Sequence, residues 1–270
     1  MELGRTIHID KIRSGGIREE KQDVIPREIL LHLHINENKI SVISCSPEDL
    51  VELVSGYIIS NGYVEDYNSI NIVEICTEDR EKEKHIGDDT ELENMSAMVR
   101  ADVVLDKEIR SGYISSGCGD LDEKVTESLP KSIKSKIMIK PDVILKLNRK
   151  NLSGQKHKKA LGGLHSASLF DSFGELITVR EDIGRHNCLD KIMGHMLIND
   201  INPLDKMIFT SGRVSLDLVL KSVRMSIPLV ITNSSVTHSA AVLAKRTDLT
   251  VIGYARGSKF NIYSYPERII

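Results

Sequence analysis

The stretch KMIFTSGRVSLDLVLKSVRMSIPLVITN, residues 206–233, decides the fold. Two short apolar, β-branched runs, 206–210 and 228–233, flank an amphipathic helix near 216–225, and the loop Ser211-Gly212-Arg213-Val214-Ser215 joins the first strand to the helix. The alternation continues outward on both sides. Strands at 165–170, 175–179 and 250–255 and helices near 185–199 and 239–247 extend it into a three-layer α/β unit. Asp171-Ser172-Phe173-Gly174 turns the first two strands into an antiparallel hairpin, so the sheet is expected to be mixed.

The first 110 residues read differently. Residues 27–44 alternate apolar and polar side chains around Asn36-Glu37-Asn38, a hairpin pattern. Ser46 and Pro47 then predict a helix start, with Leu50, Leu53, Val54, Tyr57 and Ile58 as its apolar face and Gly62 as its end. Further strands are expected at 70–77 and 98–105, separated by the charged run 78–89, a solvated loop. The Lys/Ser-rich stretch 131–140 reads as a surface connection into a helix started by Pro141. The expected division is therefore a smaller α+β part over 1–110 and an α/β domain over 111–270 that carries the loop 110–124. No internal repeat or low-complexity tract is present.

With 270 residues and 40% hydrophobic content the chain can bury a proper core. A net charge of -3, from 36 basic and 39 acidic residues, argues against wholesale binding of nucleic acid or an anionic membrane. Any anionic ligand must be met locally. Glu2, Arg5, His8 and Asp10 stand where a secretory signal would be apolar, and no uninterrupted apolar run approaches the roughly 18 residues of a membrane span. Four scattered cysteines, none spaced for a metal or redox pair, fit a reducing compartment, so a cytoplasmic protein without a directly bound metal is expected.

Cys118 lies in Ser115-Ser116-Gly117-Cys118-Gly119-Asp120, a run without an apolar side chain to bury it. Gly117 and Gly119 allow the backbone to fold around the sulfur and turn N–H groups toward it, which favours thiolate. The loop reads as a nucleophile or sulfur carrier, the alternative being an incidental cysteine in a Gly/Ser loop. Cys45, Cys76 and Cys188 all sit in apolar surroundings and read as core.

The densest polar cluster is Arg180-Glu181-Asp182-Ile183-Gly184-Arg185-His186-Asn187, between a strand end and a helix start. It forms either a site or a set of helix caps, since both need this placement. Residues 211–215 and Asn233-Ser234-Ser235-Val236-Thr237-His238 occupy equivalent junctions, and three such loops can share one anion-binding crevice. Tyr254-Ala255-Arg256-Gly257-Ser258-Lys259 offers two cations, a turn and a ring, either for a nucleotide or pterin phosphate or as a basic surface turn. Neither GxxxxGK[ST] nor GxGxxG occurs. The importance of His165, just before a strand, depends on its approach to Cys118.

Taken together, these residues resemble the FdhD family of formate dehydrogenase accessory sulfurtransferases. The match rests on Gly163-Leu164-His165-Ser166-Ala167, on Arg180 through Lys191, on Ser211 through Ser215, and on 250–268 ending Tyr263-Ser264-Tyr265-Pro266-Glu267-Arg268. The resemblance implies a cytidine-deaminase-like fold and a homodimer. It also implies a persulfide carrier that takes sulfur from a cysteine desulfurase and passes it to the molybdenum cofactor, bis(molybdopterin guanine dinucleotide), destined for the formate dehydrogenase catalytic subunit. On this likeness Cys118 is the persulfide-bearing residue and Tyr254 through Lys259 bind the cofactor, with His165, Arg185, His186 and Arg213 as possible additional site residues. Many members carry two loop cysteines separated by two residues, whereas here Ser115 and Leu121 stand at the partner positions. A two-cysteine relay is excluded, while a single thiolate can still accept and donate sulfur.

Two rival readings bear on the same residues. A zinc deaminase would need His-x-Glu and Pro-Cys-x-x-Cys segments, and neither occurs. A non-catalytic cofactor chaperone would need no sulfur chemistry at all, and the single loop cysteine is compatible with it.

Overall fold

Backbone hydrogen bonding sorts the strands into three sheets. The computed structural model describes residues 3–64, 67–77, 96–103 and 132–270. In chain order the elements are β1 (Gly4–Ile12), β2 (Arg18–Pro26), β3 (Ile29–Ile35), β4 (Asn38–Cys45), α1 (Leu50–Ser60), β5 (Ile70–Thr77), β6 (Ser96–Val103), α2 (Pro141–Gly154) and α3 (Lys158–Leu161). There follow β7 (His165–Asp171), β8 (Leu176–Asp182), α4 (Arg185–Ile198), β9 (Lys206–Thr210), α5 (Leu216–Arg224), β10 (Leu229–Thr232), α6 (His238–Arg246), β11 (Thr250–Arg256) and β12 (Lys259–Ser264).

The six-stranded sheet runs β12-β11-β10-β9-β7-β8 and is mixed. β9, β10 and β11 are parallel at its centre, while β7, β8 and β12 pair antiparallel. The apolar runs read in the sequence are buried on both faces. Met207, Phe209, Leu229, Ile231 and Ile252 pack with Ile144 and Leu147 of α2. Ala167, Leu169, Ile208, Val230 and Val251 join the larger core with side chains of α4, α5 and α6. That core continues through α1 to the buried face of the sheet β4-β3-β6-β5, formed by Ile29, Leu31, Leu33, Ile35, Ile43 and Cys45. No helix among the described residues is long and apolar enough to cross a membrane.

Two local expectations need correction. Ser46 does not cap α1, which begins after Asp49 in the left-handed region at φ 53°. Ser46 is buried, its N–H donating to Asp182 Oδ2 at 3.0 Å and its hydroxyl accepting from the Ile183 N–H at 3.2 Å. A tertiary role outweighs the local one. Part of the stretch 131–140 is core rather than surface, because Ile133, Ile137 and Ile139 are buried. The connection is sealed by Arg268, 2% exposed, whose guanidinium donates to the carbonyls of Asp248, Ile133 and Pro228. The β1–β2 hairpin was not anticipated, since its charged strands bury neither face and leave no alternation to read. The run 78–89 and the cysteine loop 110–124 lie outside the described residues.

Candidate functional site

The C-terminal ends of β9, β10 and β11 point the same way, as their parallel pairing requires, and the loops that follow them converge. Between them lies a cleft of about 400 Å³ lined by Asn148, Ser211, Asn233, Ser234, Ser235, Tyr254 and Arg256. The walls are cross-linked through the backbone. Val214 N–H donates to Ser235 O and Thr237 N–H to Val214 O, each at 3.0 Å, while Thr232 Oγ1 donates to Gly212 O at 2.6 Å. On the far side Asn233 Nδ2 donates to Asn148 Oδ1 of α2 at 3.2 Å.

Tyr254 is held in the left-handed region at φ 53° by its N–H bond to Ser234 O at 2.9 Å. For a non-glycine residue this conformation costs on the order of 1–3 kcal/mol. The β11–β12 register shifts between Gly253 and Arg256, so the chain bulges at this point. Ala255 turns into the core while the Tyr254 ring stays 37% exposed, with the Arg256 guanidinium 5.9 Å from its centroid. Among the described residues no carboxylate lines the cleft. Hydroxyls, carboxamides, one aromatic ring and one guanidinium suit an anionic, partly planar ligand.

Of the segment expected to bind cofactor, Tyr254 and Arg256 therefore line the cleft, and Ala255 contributes only backbone. Gly257, at φ 65°, forms the exposed turn beyond it with Ser258 and Lys259. Arg213 is exposed on the neighbouring loop and makes no hydrogen bond or ion pair with a described residue. Cys118 lies outside the described residues.

His165, Arg185 and His186 gather at the 211–215 loop. A Cβ on Gly212 would stand 2.9 Å from Arg185 Cβ, so glycine is what lets loop and arginine meet. Ser166 N–H donates to Ser211 Oγ at 3.0 Å, which docks the start of β7 against the same loop. His186 Nε2 lies 3.2 Å from Ser215 Oγ and 3.5 Å from Asp217 Oδ2. Burial pushes His186 down to about 4; Asp217 opposes the shift, and Arg185, Lys221 and His165 add to it. Burial, Lys158 and Arg185 likewise lower His165 against Asp182. Ser215 and Asp217 face the same imidazole nitrogen, which is not the two-sided relay of a hydrolytic triad.

The rest of the 180–187 cluster serves the scaffold. Glu181 accepts the N–H groups of Lys156, His157 and Lys158 at 2.7, 2.9 and 2.8 Å. Asp182 pairs with Lys191 at 2.7 Å, both fully buried, and accepts from Gly184 N–H and Asn187 Nδ2. Arg180 bridges to Glu52 of α1 and lies 3.0 Å from His195 Nδ1. Burial would raise the Glu52 carboxyl, but the hydrogen bonds from Arg180 and His195 bring it below its ordinary value. Two of the other cysteines are inert by environment. Burial, aided by Asp182, pushes Cys45 up to about 12 and Cys188 well above its ordinary range.

Asn148 was missed by the sequence reading. Its signal is a carboxamide series at helical spacing, Asn148, Asn151 and Gln155, on a helix that packs on a sheet. Asn151 Oδ1 accepts from Ser168 Oγ at 2.5 Å and Gln155 Nε2 donates to Ser166 Oγ at 2.6 Å, fixing α2 against β7.

Comparison with known proteins adds the family context. Residues 26–270 match the model of the FdhD/NarQ family. The sulfur carrier protein FdhD of Sulfolobus acidocaldarius is 32% identical over 267 residues, covering 98% of each chain. Its Bacillus subtilis counterpart is 31% identical, covering 92% of this chain and 91% of its own. The crystal structure of a Desulfotalea psychrophila protein described as a formate dehydrogenase accessory protein superposes over 100% of both chains with a TM-score of 0.80 at 23% identity, a likeness of fold.

Proposed function

Because this chain belongs to the FdhD/NarQ family, we propose that it is a sulfur carrier for formate dehydrogenase that takes sulfur from a cysteine desulfurase onto Cys118 and hands it to the molybdenum cofactor. The observation that carries this reading is the near full-length similarity to sulfur carrier proteins FdhD. The residues support it chemically. Cys45 and Cys188 are held as buried thiols, whereas the Ser/Gly run around Cys118 has no apolar side chain to bury one.

In the loading step the Cys118 thiolate attacks the terminal sulfur of the donor's persulfide. The donor's S–S bond breaks, its cysteine leaves as thiolate, and Cys118 becomes the persulfide without net oxidation. Release of that sulfur as sulfide consumes two electrons, which a thiol reductant supplies. This turnover is what makes the protein a sulfurtransferase rather than a passive store. The acceptor, bis(molybdopterin guanine dinucleotide), is the substrate. Arg256 with Ser211, Ser234 and Ser235 would take its phosphates and Tyr254 a ring face, while Lys259 and Arg213 add positive charge at the rim.

The finer architecture belongs to the same reading: a cytidine-deaminase-like domain over 111–270, an α+β part over 1–110, and a homodimer as the working form. A chaperone that delivers cofactor without sulfur chemistry is the second reading, favoured by Cys118 being the lone cysteine between 104 and 131.

Intact-protein mass spectrometry after incubation with a cysteine desulfurase and cysteine separates the two. The carrier gains one reducible sulfur atom and Cys118→Ala gains none; no gain on the wild type, or an equal gain on both proteins, would leave the chaperone. A Cys118→Ala protein that still activates formate dehydrogenase fully would count equally against the carrier.

A further inference from the structure

The Asn233–Asn148 hydrogen bond is the only one either side chain makes among the described residues. Asn233 donates and Asn148 accepts, so the pair still presents the Asn148 amide N–H groups and the Asn233 carbonyl oxygen at the cleft they both line. Asn148 does not float. One and two turns further along α2, Asn151 and Gln155 are tied to Ser166 and Ser168 of β7, and Asn151 and both serines are fully buried. Asn233 is fixed from the other side, because the next residues, Ser234 and Ser235, carry the carbonyls that bind Tyr254 and Val214. Donor and acceptor are therefore preorganised side by side in the cleft that Tyr254 also lines.

We propose that Asn148 and Asn233 form the specificity element of this cleft, a locked carboxamide pair that hydrogen-bonds the polar edge of a fused nitrogen heterocycle, purine or pterin, whose face lies on Tyr254. The proposal rests on the reading above that the cleft takes the nucleotide part of a dinucleotide cofactor. A phosphate needs Arg256 and the serine hydroxyls, but it has no use for an adjacent neutral donor and acceptor. The edge of a lactam or an amidine ring presents such a pair within one ring. The strain at Tyr254 is consistent with this, since the left-handed backbone keeps the ring at the cleft rather than in the core. At about 400 Å³ the cleft falls toward the low end of small-ligand sites, roughly 300–1,000 Å³, which suits one nucleotide moiety.

The test is calorimetric titration of the full chain with GDP and, separately, with inorganic pyrophosphate. The wild type binds GDP more tightly than pyrophosphate. Asn148→Ala and Asn233→Ala each weaken GDP about 5- to 30-fold and leave pyrophosphate within about two-fold, whereas Arg256→Ala weakens both. If the two asparagine variants leave the GDP-to-pyrophosphate ratio at its wild-type value while Arg256→Ala still weakens both ligands, the specificity role falls and the cleft reading stands. Failure of the wild type to bind GDP at all removes the cleft reading and this proposal with it. A purely structural Asn148–Asn233 link would lower the melting temperature without moving the ratio. Should Asn148→Ala fail to fold, Asn233→Ala asks the same question from the other member of the pair.

Discussion

His186 is the residue through which the stability of the fold couples to pH. Its folded-state value is about 4 against an ordinary 6.5, so between these limits the unfolded chain binds the proton first. Stability therefore rises with pH across this window, by at most about 1.4 kcal/mol per unit, and is lost as pH falls through it. His165 shifts in the same direction. Urea unfolding at pH 5, 6 and 7 is expected to show a clearly smaller slope for His186→Gln than for the wild type. Parallel curves would mean that His186 is not held neutral by its surroundings. The contribution of Glu52 does not interfere, because a carboxyl lowered from 4.5 exerts its effect below that pH. The residue types at 185 and 186 were legible as site candidates, but their separation from Arg180, Glu181 and Asp182 was not. All five are polar and close in sequence, and only their partners, such as the buried Lys191 ammonium on Asp182, divide the three scaffold residues from the two at the 211–215 loop.

At the scale of elements, the α1–α4 contact positions the N-terminus of α4 and hence Arg185 and His186. The two helices meet at glycines. A Cβ on Gly56 would lie 1.9 Å from Asp190 O, and one on Gly194 would lie 1.8 Å from Glu52 O. Both obstacles are backbone carbonyls and cannot rotate away. Gly56→Ala and Gly194→Ala are each expected to destabilise the fold by at least about 2 kcal/mol, read as a shift in urea midpoint at unchanged m-value. Wild-type midpoints would show that the helices can separate without loss. The helices themselves were legible to within a residue or two, because amphipathic periodicity is written into local sequence. The start of α1 was not, since Ser46 satisfies Asp182 and Ile183, which lie 136 and 137 residues away.

At the scale of the whole molecule, the carrier reading separates two tasks: sulfur loading on Cys118 and cofactor binding in the cleft at the ends of β9, β10 and β11. They are expected to be separable by mutation. Arg256→Ala should load one reducible sulfur atom like the wild type, yet activate formate dehydrogenase at least about ten-fold less well, since a charge-assisted phosphate contact amounts to roughly 1.5–3 kcal/mol. Mass spectrometry and an activation assay on the same preparation check both arms. A variant that also fails to load sulfur would show that the tasks are not independent. The cleft was half visible in advance: of the three strand-end loops expected to share a crevice, 211–215 and 233–238 line it together with Tyr254 and Arg256, whereas 180–187 does not.

The sequence alone determined the order of β3 through β11 with the helices between them except the short α3, the mixed character of the large sheet and the family, because hydrophobic period, turn residues and motif identity are properties of neighbouring residues. Only the tertiary structure decided that Asn148 of α2 meets Asn233, that Gly212 of the 211–215 loop packs on Arg185, and that Arg268 seals the chain at Ile133. Those relations join residues tens to more than a hundred positions apart. They follow from which faces the packed layers bring together, and no local pattern encodes that.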